Sequence, residues 1–259
     1  MSVQLVERHE TLIVPTYMSD QRGEMLLTSL CAIFSDIAGH HADSLGIGVD
    51  TLHEKYNMTW MLRRLSICID RMPQCAEKID MQTMPIDTQG LFTHRIYRIT
   101  LDGANAVRAL SEWLMVDLER RRPVRPIAEV VDICNRNPKP DDMPQLTLTD
   151  KNLPSDFVDV AEFHACYSDI DFNGHVTQAS YVRWITDSLP IAFHADNQLV
   201  AAEIFFQHEV MPESQIRVVQ SISEDDNGLT LTHKIVSRDG ELTHCIARTE
   251  WKILPKASN

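Results

Sequence analysis

Residues 167–184 read YSDIDFNGHVTQASYVRW and hold the densest polar chemistry of the chain. Asp169, Asp171, Asn173, Gly174 and His175 fall within seven positions. If this run is extended, Asp171, Asn173 and His175 share a side, because alternate residues of extended backbone do. Gly174 permits close backbone approach and a tight entry into a following helix. A helix beginning near Val176 and Thr177 presents unpaired N–H groups and the positive end of its dipole. Such donors suit the oxyanion that forms on an acyl carbonyl, with the backbone N–H near Val176 as the candidate. A carboxylate, an amide and an imidazole beside such donors describe acyl transfer or hydrolysis. Asp, Asn and Gly are equally ordinary turn and N-cap residues. Polarity alone therefore leaves a purely structural turn open.

Other reactive residue types form no such set. His40 and His41 are adjacent, and adjacent helical residues point ~100° apart. No third ligand stands at a fixed spacing, so no metal is expected. The six cysteines include no CxxC pair and read as reduced thiols of a cytoplasmic protein. Cys166, close to the motif, is expected to be a small buried apolar residue. No Gly-rich phosphate loop occurs, so no cofactor is expected.

The elements that must position the motif occur twice. Met72-Pro73 matches Met211-Pro212 at an offset of 139, and Gly90 matches Gly228 at 138. Asp102-Gly103 matches Asp239-Gly240 at 137, and Glu112-Trp113 matches Glu250-Trp251 at 138. Ser19-Asp20 and Ser168-Asp169 match at 149, which places roughly ten extra residues near the first helix. In the first half, Leu26, Leu27, Leu30, Ile33, Phe34, Ile37 and Ala38 form an i, i+3, i+4 stripe within 26–45. In the second, Tyr181, Ile185 and Leu189 lie four apart and Pro190 stops the run. Strands are predicted at 59–70, 77–85, 91–101 and 106–118, then at 201–210, 215–223, 228–237 and 242–254. The two Asp-Gly pairs are hairpin signals. The result is an α+β plan used twice, with domains at 1–130 and 156–259 and a proline-rich linker at 131–155.

The chain has 259 residues, 24 Lys plus Arg and 37 Asp plus Glu, for a formal charge of −13. That balance excludes a phosphate-binding nucleic-acid protein. Apolar residues never run for ~18 positions, so no membrane span is expected. The charged start MSVQLVERHE argues against a signal peptide.

The run DIDFNGHVTQASYVRW resembles the active-site signature of the acyl-acyl-carrier-protein thioesterases, a double-hotdog family of plant plastids and bacteria. Asp171, Asn173, His175, Val176, Tyr181 and Trp184 match it, while the usual Asn-Asn is Thr177-Gln178. WMLRR at 60–64, AGHHADSLGIG at 38–48 and SEWLMVDLERRRPVRP at 111–126 resemble further family marks in the expected order. The resemblance implies two tandem hotdog domains, each an antiparallel sheet wrapped around one long helix. It implies that Glu209 completes a catalytic set with Asp171, Asn173 and His175. Val210 stands at a position where the family carries a cysteine once proposed as nucleophile. With Asp169 set on Asp20, the first half places Arg22, Glu24 and Leu26 at the three motif positions, so it would shape the acyl pocket and do no chemistry.

The implied activity is hydrolysis of fatty acyl-acyl carrier protein, with Asp171 or Glu209 as base, or Asp171 as covalent nucleophile. An acyl-CoA thioesterase, a hydratase or dehydratase on the same scaffold, and a non-catalytic acyl-binding module are the alternatives. The implied partner, acyl carrier protein, is acidic and so is this chain. Docking then calls for local cations, and Arg63, Arg64, Arg120, Arg121, Arg122, Arg125 and Arg183 are the candidates. A double hotdog can satisfy internally the pairing that single hotdogs make as dimers, so a monomer or a homodimer is expected.

Overall fold

The computed structural model describes residues 6–171, 174–226 and 228–255. Two compact units divide the chain, residues 1–146 and 147–259.

Unit 1 runs β1 (Arg8–Ile13), α1 (Leu27–Ser44), α2 (Val49–Tyr56), β2 (Met58–Ile69), β3 (Lys78–Gln89), β4 (Phe92–Leu101), β5 (Ala104–Asp117), β6 (Arg122–Val124) and α3 (Ala128–Cys134). Its strands lie in the order β1-β3-β4-β5-β2, all antiparallel, with β6 on β5. Leu30, Phe34 and Ile37 of α1 are fully buried, and Phe34 stacks on Tyr97 of β4 at 4.6 Å. Burial of each such side chain stabilises the domain by roughly 1.5–3 kcal/mol. Gly46, at φ +71, lies just past the end of α1, while Gly39 stays within the helix. Asp102 and Gly103, at φ +50 and +81, supply the left-handed pair that a two-residue hairpin needs.

Unit 2 runs β7 (Val158–His164), α4 (Gln178–Asp187), α5 (Ile191–Asp196), β8 (Asn197–Phe206), β9 (Gln215–Asp225), β10 (Gly228–Ser237) and β11 (Thr243–Ile253). Its strands lie in the order β8-β11-β10-β9-β7, again antiparallel. Tyr181 and Trp184 of α4 are buried, with Tyr181 edge-on to Phe206 and Trp184 stacked near Phe163. Each unit therefore has the expected α+β plan of one principal helix on an antiparallel sheet.

The equivalences between halves differ from the dipeptide matches. The short helical turns Thr16–Met18 and Tyr167–Asp169 correspond, as do the bridges Ser19 to Met25 and Ile170 to Val176. These pairs set the offset before the helix at 151, not 149. After the helix, Ala76 and Glu213 share a positive φ of 66° and 65°, and the offset there is 137. The Met-Pro match at 139 is thus accidental. The first half holds fourteen more residues between these points. Eight are accounted for by α1, with 18 residues against 10 in α4.

Residues 131–155, expected as a linker, are anchored at several points as far as Leu148, while most of 149–155 is exposed. Val130, Ile133 and Cys134 of α3 join a core cluster with Leu52 and Met115. Met143 packs with Met84 and Ile96. Leu148 is fully buried with Phe205 and Ile246, and the Glu203 carboxylate accepts from the Thr147 and Leu148 N–H groups at 2.5 and 2.7 Å. Apolar residues between the prolines turn a polar-looking spacer into packed chain.

Candidate active site

The described residues of the motif, 171 and 174–177, are held by turn hydrogen bonds. Asp171 N–H donates to His175 O at 2.8 Å, and Gly174 N–H donates to Asp171 O at 3.0 Å. The Asp171 side chain accepts from His175 N–H at 3.1 Å. One oxygen of the carboxylate thus faces the backbone of its own turn. Gly174 sits at φ +80, where an L side chain is strained, yet a Cβ there would touch nothing within 4 Å. Its role is conformational, and no close approach requires it. Asn173 lies outside the described residues.

Beneath the turn lies an acid whose role the sequence reading missed. Asp169 is 1% exposed. Its carboxylate accepts from Cys166 N–H at 2.8 Å and from the Arg183 guanidinium at 2.5 Å. Burial pushes this carboxyl up, but the bonds from Cys166, Arg183 and Ser180 outweigh it and hold the group below the ordinary range. A carboxylate three residues into a helical turn, reaching back to the residue before it, is a capping-box pattern that could have been read from the sequence. Arg183 also lies 3.5 Å from Asp187, so it braces the turn and α4. Cys166 is exposed, contrary to expectation, with its thiol 3.2 Å from His164 O.

Helix α4 starts one residue later than expected, at Gln178, with Thr177 as its N-cap. The Thr177 hydroxyl accepts from Ser180 N–H at 3.2 Å. Thr177 thus does a helix-capping job at the place where the family signature has Asn. Val176 precedes the cap and faces Ile170 across the bridge. Its N–H has no acceptor among the described residues, and it is a loop amide, not one of the first donors of α4.

Glu209, expected on a strand at 201–210, lies beyond the end of β8 and comes to the same place. His175 Nε2 lies 3.8 Å from Glu209 Oε1, with both side chains about half exposed. Glu209 is just beyond β8, and the next residue is pinned, since Val210 N–H donates to the Tyr181 hydroxyl at 2.7 Å. That bond gives the Tyr of the motif a specific job. It ties the buried face of α4 to the segment carrying Glu209. The structure thus brings His175, Glu209, the Asp171 carboxylate and the Val176 amide into one turn-and-strand neighbourhood of unit 2.

The candidate docking arginines divide. Arg64 lies 3.5 Å from Glu112 within the sheet of unit 1, and Arg183 is held by Asp169 as above. Arg63 is half-buried on β2. Arg120, Arg121 and Arg122 are exposed around the turn from β5 to β6, and Arg125 is exposed just after β6.

Two family models match the chain, the acyl-ACP thioesterase N-terminal domain over residues 7–134 and the C-terminal domain over residues 154–253. The chain belongs to the acyl-ACP thioesterase family. The oleoyl-acyl carrier protein thioesterase, chloroplastic, of Coriandrum sativum is 23% identical, over 93% of this chain and 68% of that protein. The palmitoyl-acyl carrier protein thioesterase, chloroplastic, of Arabidopsis thaliana is 25% identical, over 81% of this chain and 54% of its own length. The chain therefore spans about half to two thirds of these plant relatives. The crystal structure of an acyl-ACP thioesterase from Bacteroides thetaiotaomicron superposes with a TM-score of 0.83 at 27% identity, covering 97% of this chain and 100% of that one. These matches make the fold of the two units the double hotdog. No helix among the described residues is long and apolar enough to cross a membrane.

Proposed function

We propose that this acyl-ACP thioesterase family member hydrolyses the thioester of fatty acyl-acyl carrier protein, and that Asp171, Asn173, His175 and Glu209 carry the reaction. Water adds to the acyl carbonyl, the C–S bond breaks, and free fatty acid and the carrier thiol leave. The observation that carries this reading is the approach of His175 Nε2 to Glu209 Oε1, 3.8 Å apart beside the Asp171 turn. Glu209 is accessible to water and serves as base or orients the nucleophile. His175 shares its charge. Asp171, already bonded to the His175 amide, holds the imidazole's backbone in place. The Val176 N–H, lacking an acceptor among the described residues, suits the oxyanion. Each acid–base contribution is worth roughly 10²–10⁴-fold in rate. A covalent acyl group on Asp171 is the variant chemistry.

Carrier recognition belongs to the same proposal. The exposed Arg120, Arg121, Arg122 and Arg125 offer local positive charge on a chain of net −13 to an acidic carrier. Monomer and homodimer both remain compatible with two hotdog units in one chain. A cytoplasmic location is proposed for this chain, although the plant relatives are chloroplastic by name.

The test is thiol release from a panel of acyl-carrier-protein and acyl-CoA substrates of varied chain length. The expected result is a higher kcat/KM on the carrier-bound thioester, falling as ionic strength rises. Equal or greater rates on acyl-CoA would replace the carrier reading. Absence of thiol release from every substrate would leave the non-catalytic binding module.

A further inference from the structure

Unit 1 contains a cavity that the hydrolysis above does not use. It has a volume of about 350 Å³, and its walls include Glu7, Arg8, His41, Ser44 and Arg136. His41, in the last turn of α1, is only 3% exposed. The Arg95 guanidinium donates to His41 Nδ1 at 3.1 Å. A guanidinium has no acceptor, so Nδ1 is the unprotonated nitrogen and the ring proton sits on Nε2. Burial, with the charges of Arg95 and Arg8 and against the opposing charge of Glu7, holds this imidazole down to about 4, so the ring is neutral near neutral pH. The Nε2–H has no partner among the described residues and belongs to a ring that lines the cavity.

Behind it, Arg95 is 6% exposed. It bonds to His41 and, at 3.3 Å, to the Thr83 hydroxyl. Among the described residues no carboxylate lies within salt-bridge distance of it. A buried cation without a counter-charge is costly, and a bound anion offsets that cost. The cavity rim adds two more cations. Arg8 gives its Nε to Glu10 at 2.6 Å, which leaves its terminal nitrogens open, and Arg136 is exposed with no side-chain partner among the described residues. The acceptors nearby are already occupied. Glu7 pairs with Gln82 at 2.6 Å and with His9 at 3.3 Å. The His41 carbonyl at the helix end accepts from the Ser44 hydroxyl at 2.7 Å and from Leu45 N–H at 3.1 Å. Two carboxylates, Glu7 and Glu10, stand against the three guanidiniums of Arg8, Arg95 and Arg136, an excess of one positive charge around the cavity.

We propose that this cavity binds a small oxyanion, a carboxylate or a phosphate, through His41 Nε2–H and the guanidiniums of Arg8 and Arg136. Arg95 acts through His41, fixing its tautomer and supplying the buried charge. The volume lies at the low end of ligand cavities, which fits a small organic acid or phosphate ester.

The test is calorimetric titration of the full chain with inorganic phosphate and, separately, with succinate, at constant ionic strength against chloride. Saturable one-to-one binding of either anion is expected, and which anion binds identifies the source. Arg136→Gln alters an exposed side chain and leaves the fold intact; it is expected to weaken binding ~10-fold. His41→Gln is expected to lose the same ligand, and a His41 ring resonance in the parent protein should shift on saturation. Heats no greater than those of chloride, or affinities unchanged in both variants, would overturn the site. Because the readout is binding, its failure is separate from any failure of the thioesterase reading.

Discussion

The turn at 20–26 and the described residues 171 and 174–177 share their hydrogen-bond frame and differ in what it carries. Asp20 N–H to Glu24 O and Asp171 N–H to His175 O are both 2.8 Å. Leu26 N–H to Met18 O and Thr177 N–H to Asp169 O are also both 2.8 Å. Asp20 and Asp171 each accept from the N–H four residues on, at 2.9 and 3.1 Å. Gly23 and Gly174 have φ of 78° and 80°. In unit 1, however, Arg22 stands where unit 2 has Asn173, and Glu24 stands at His175. Arg22 bonds to Glu24 at 2.6 Å and lies 3.6 Å from Asp20, so one guanidinium bridges both carboxylates of this turn. The amide equivalent to Val176, Met25 N–H, is occupied by Pro73 O at 2.8 Å. The fold supplies the frame twice. Among the described residues, the second turn differs in carrying His175 beside Glu209 and in leaving the Val176 N–H without an acceptor.

The sharpest way to break this contrast is to remove the reactive pair. Glu209→Ala and His175→Ala are each expected to lower kcat roughly 10²–10⁴-fold. Because they act as a unit, the double variant should lose little more than either single one. A product of the two single losses would mean independent roles. The next effect is on the brace beneath the turn. Asp169→Asn is expected to cost about 2 kcal/mol in denaturant melts, because a charge-assisted bond to Arg183 is lost. Its sign with pH follows from the depressed carboxyl. The contribution is present above the ordinary 3.8 and disappears as pH falls through the lower folded value. The stability gap between parent and variant should therefore close in acid. Met18 occupies the equivalent place in unit 1 and offers no such charge.

Smaller effects follow. Tyr181→Phe removes the acceptor of the Val210 N–H and is expected to cost about 1 kcal/mol. It should also loosen the segment carrying Glu209, seen as faster amide exchange at Val210. The smallest effect concerns unit 1. His94 lies between Asp87 and Glu112, its Nε2 3.3 Å from Glu112. Burial lowers its affinity for the proton, but the two carboxylates outweigh burial and raise it above the ordinary 6.5. Its stabilisation is complete below 6.5 and is lost as pH rises through the higher folded value. Parent protein should lose melting temperature over that window, and His94→Gln should not.

Periodicity made both helices and the eight principal strands legible, but the strand expected at 201–210 runs Asn197–Phe206 and leaves Glu209 beyond its end. The stripe from Leu26 to Ala38 and the Asp-Gly hairpins needed only local chemistry. The turn register was harder, because Ser-Asp occurs in both halves two positions out of step with the backbone. Asp20 answers Asp171, and Asp169 has no acidic counterpart. The short helices α2 and α3 carry too few residues for a periodic signal, and α3 falls in a segment dominated by prolines. His175 and Glu209 are 34 positions apart in the sequence. Only a known motif order proposes that pair; local pattern cannot. The Arg183 brace and the Tyr181 bond to Val210 are likewise long-range contacts.

The central claim is that one of two equivalent turns does the chemistry. The most direct measurement is thiol release from acyl-carrier protein by His175→Ala and Glu24→Ala side by side, each checked for folding. The account predicts a loss of at least ~10²-fold in kcat/KM for His175→Ala and a change within ~2-fold for Glu24→Ala. Near-parent activity in His175→Ala, or an equal loss in Glu24→Ala, would contradict it.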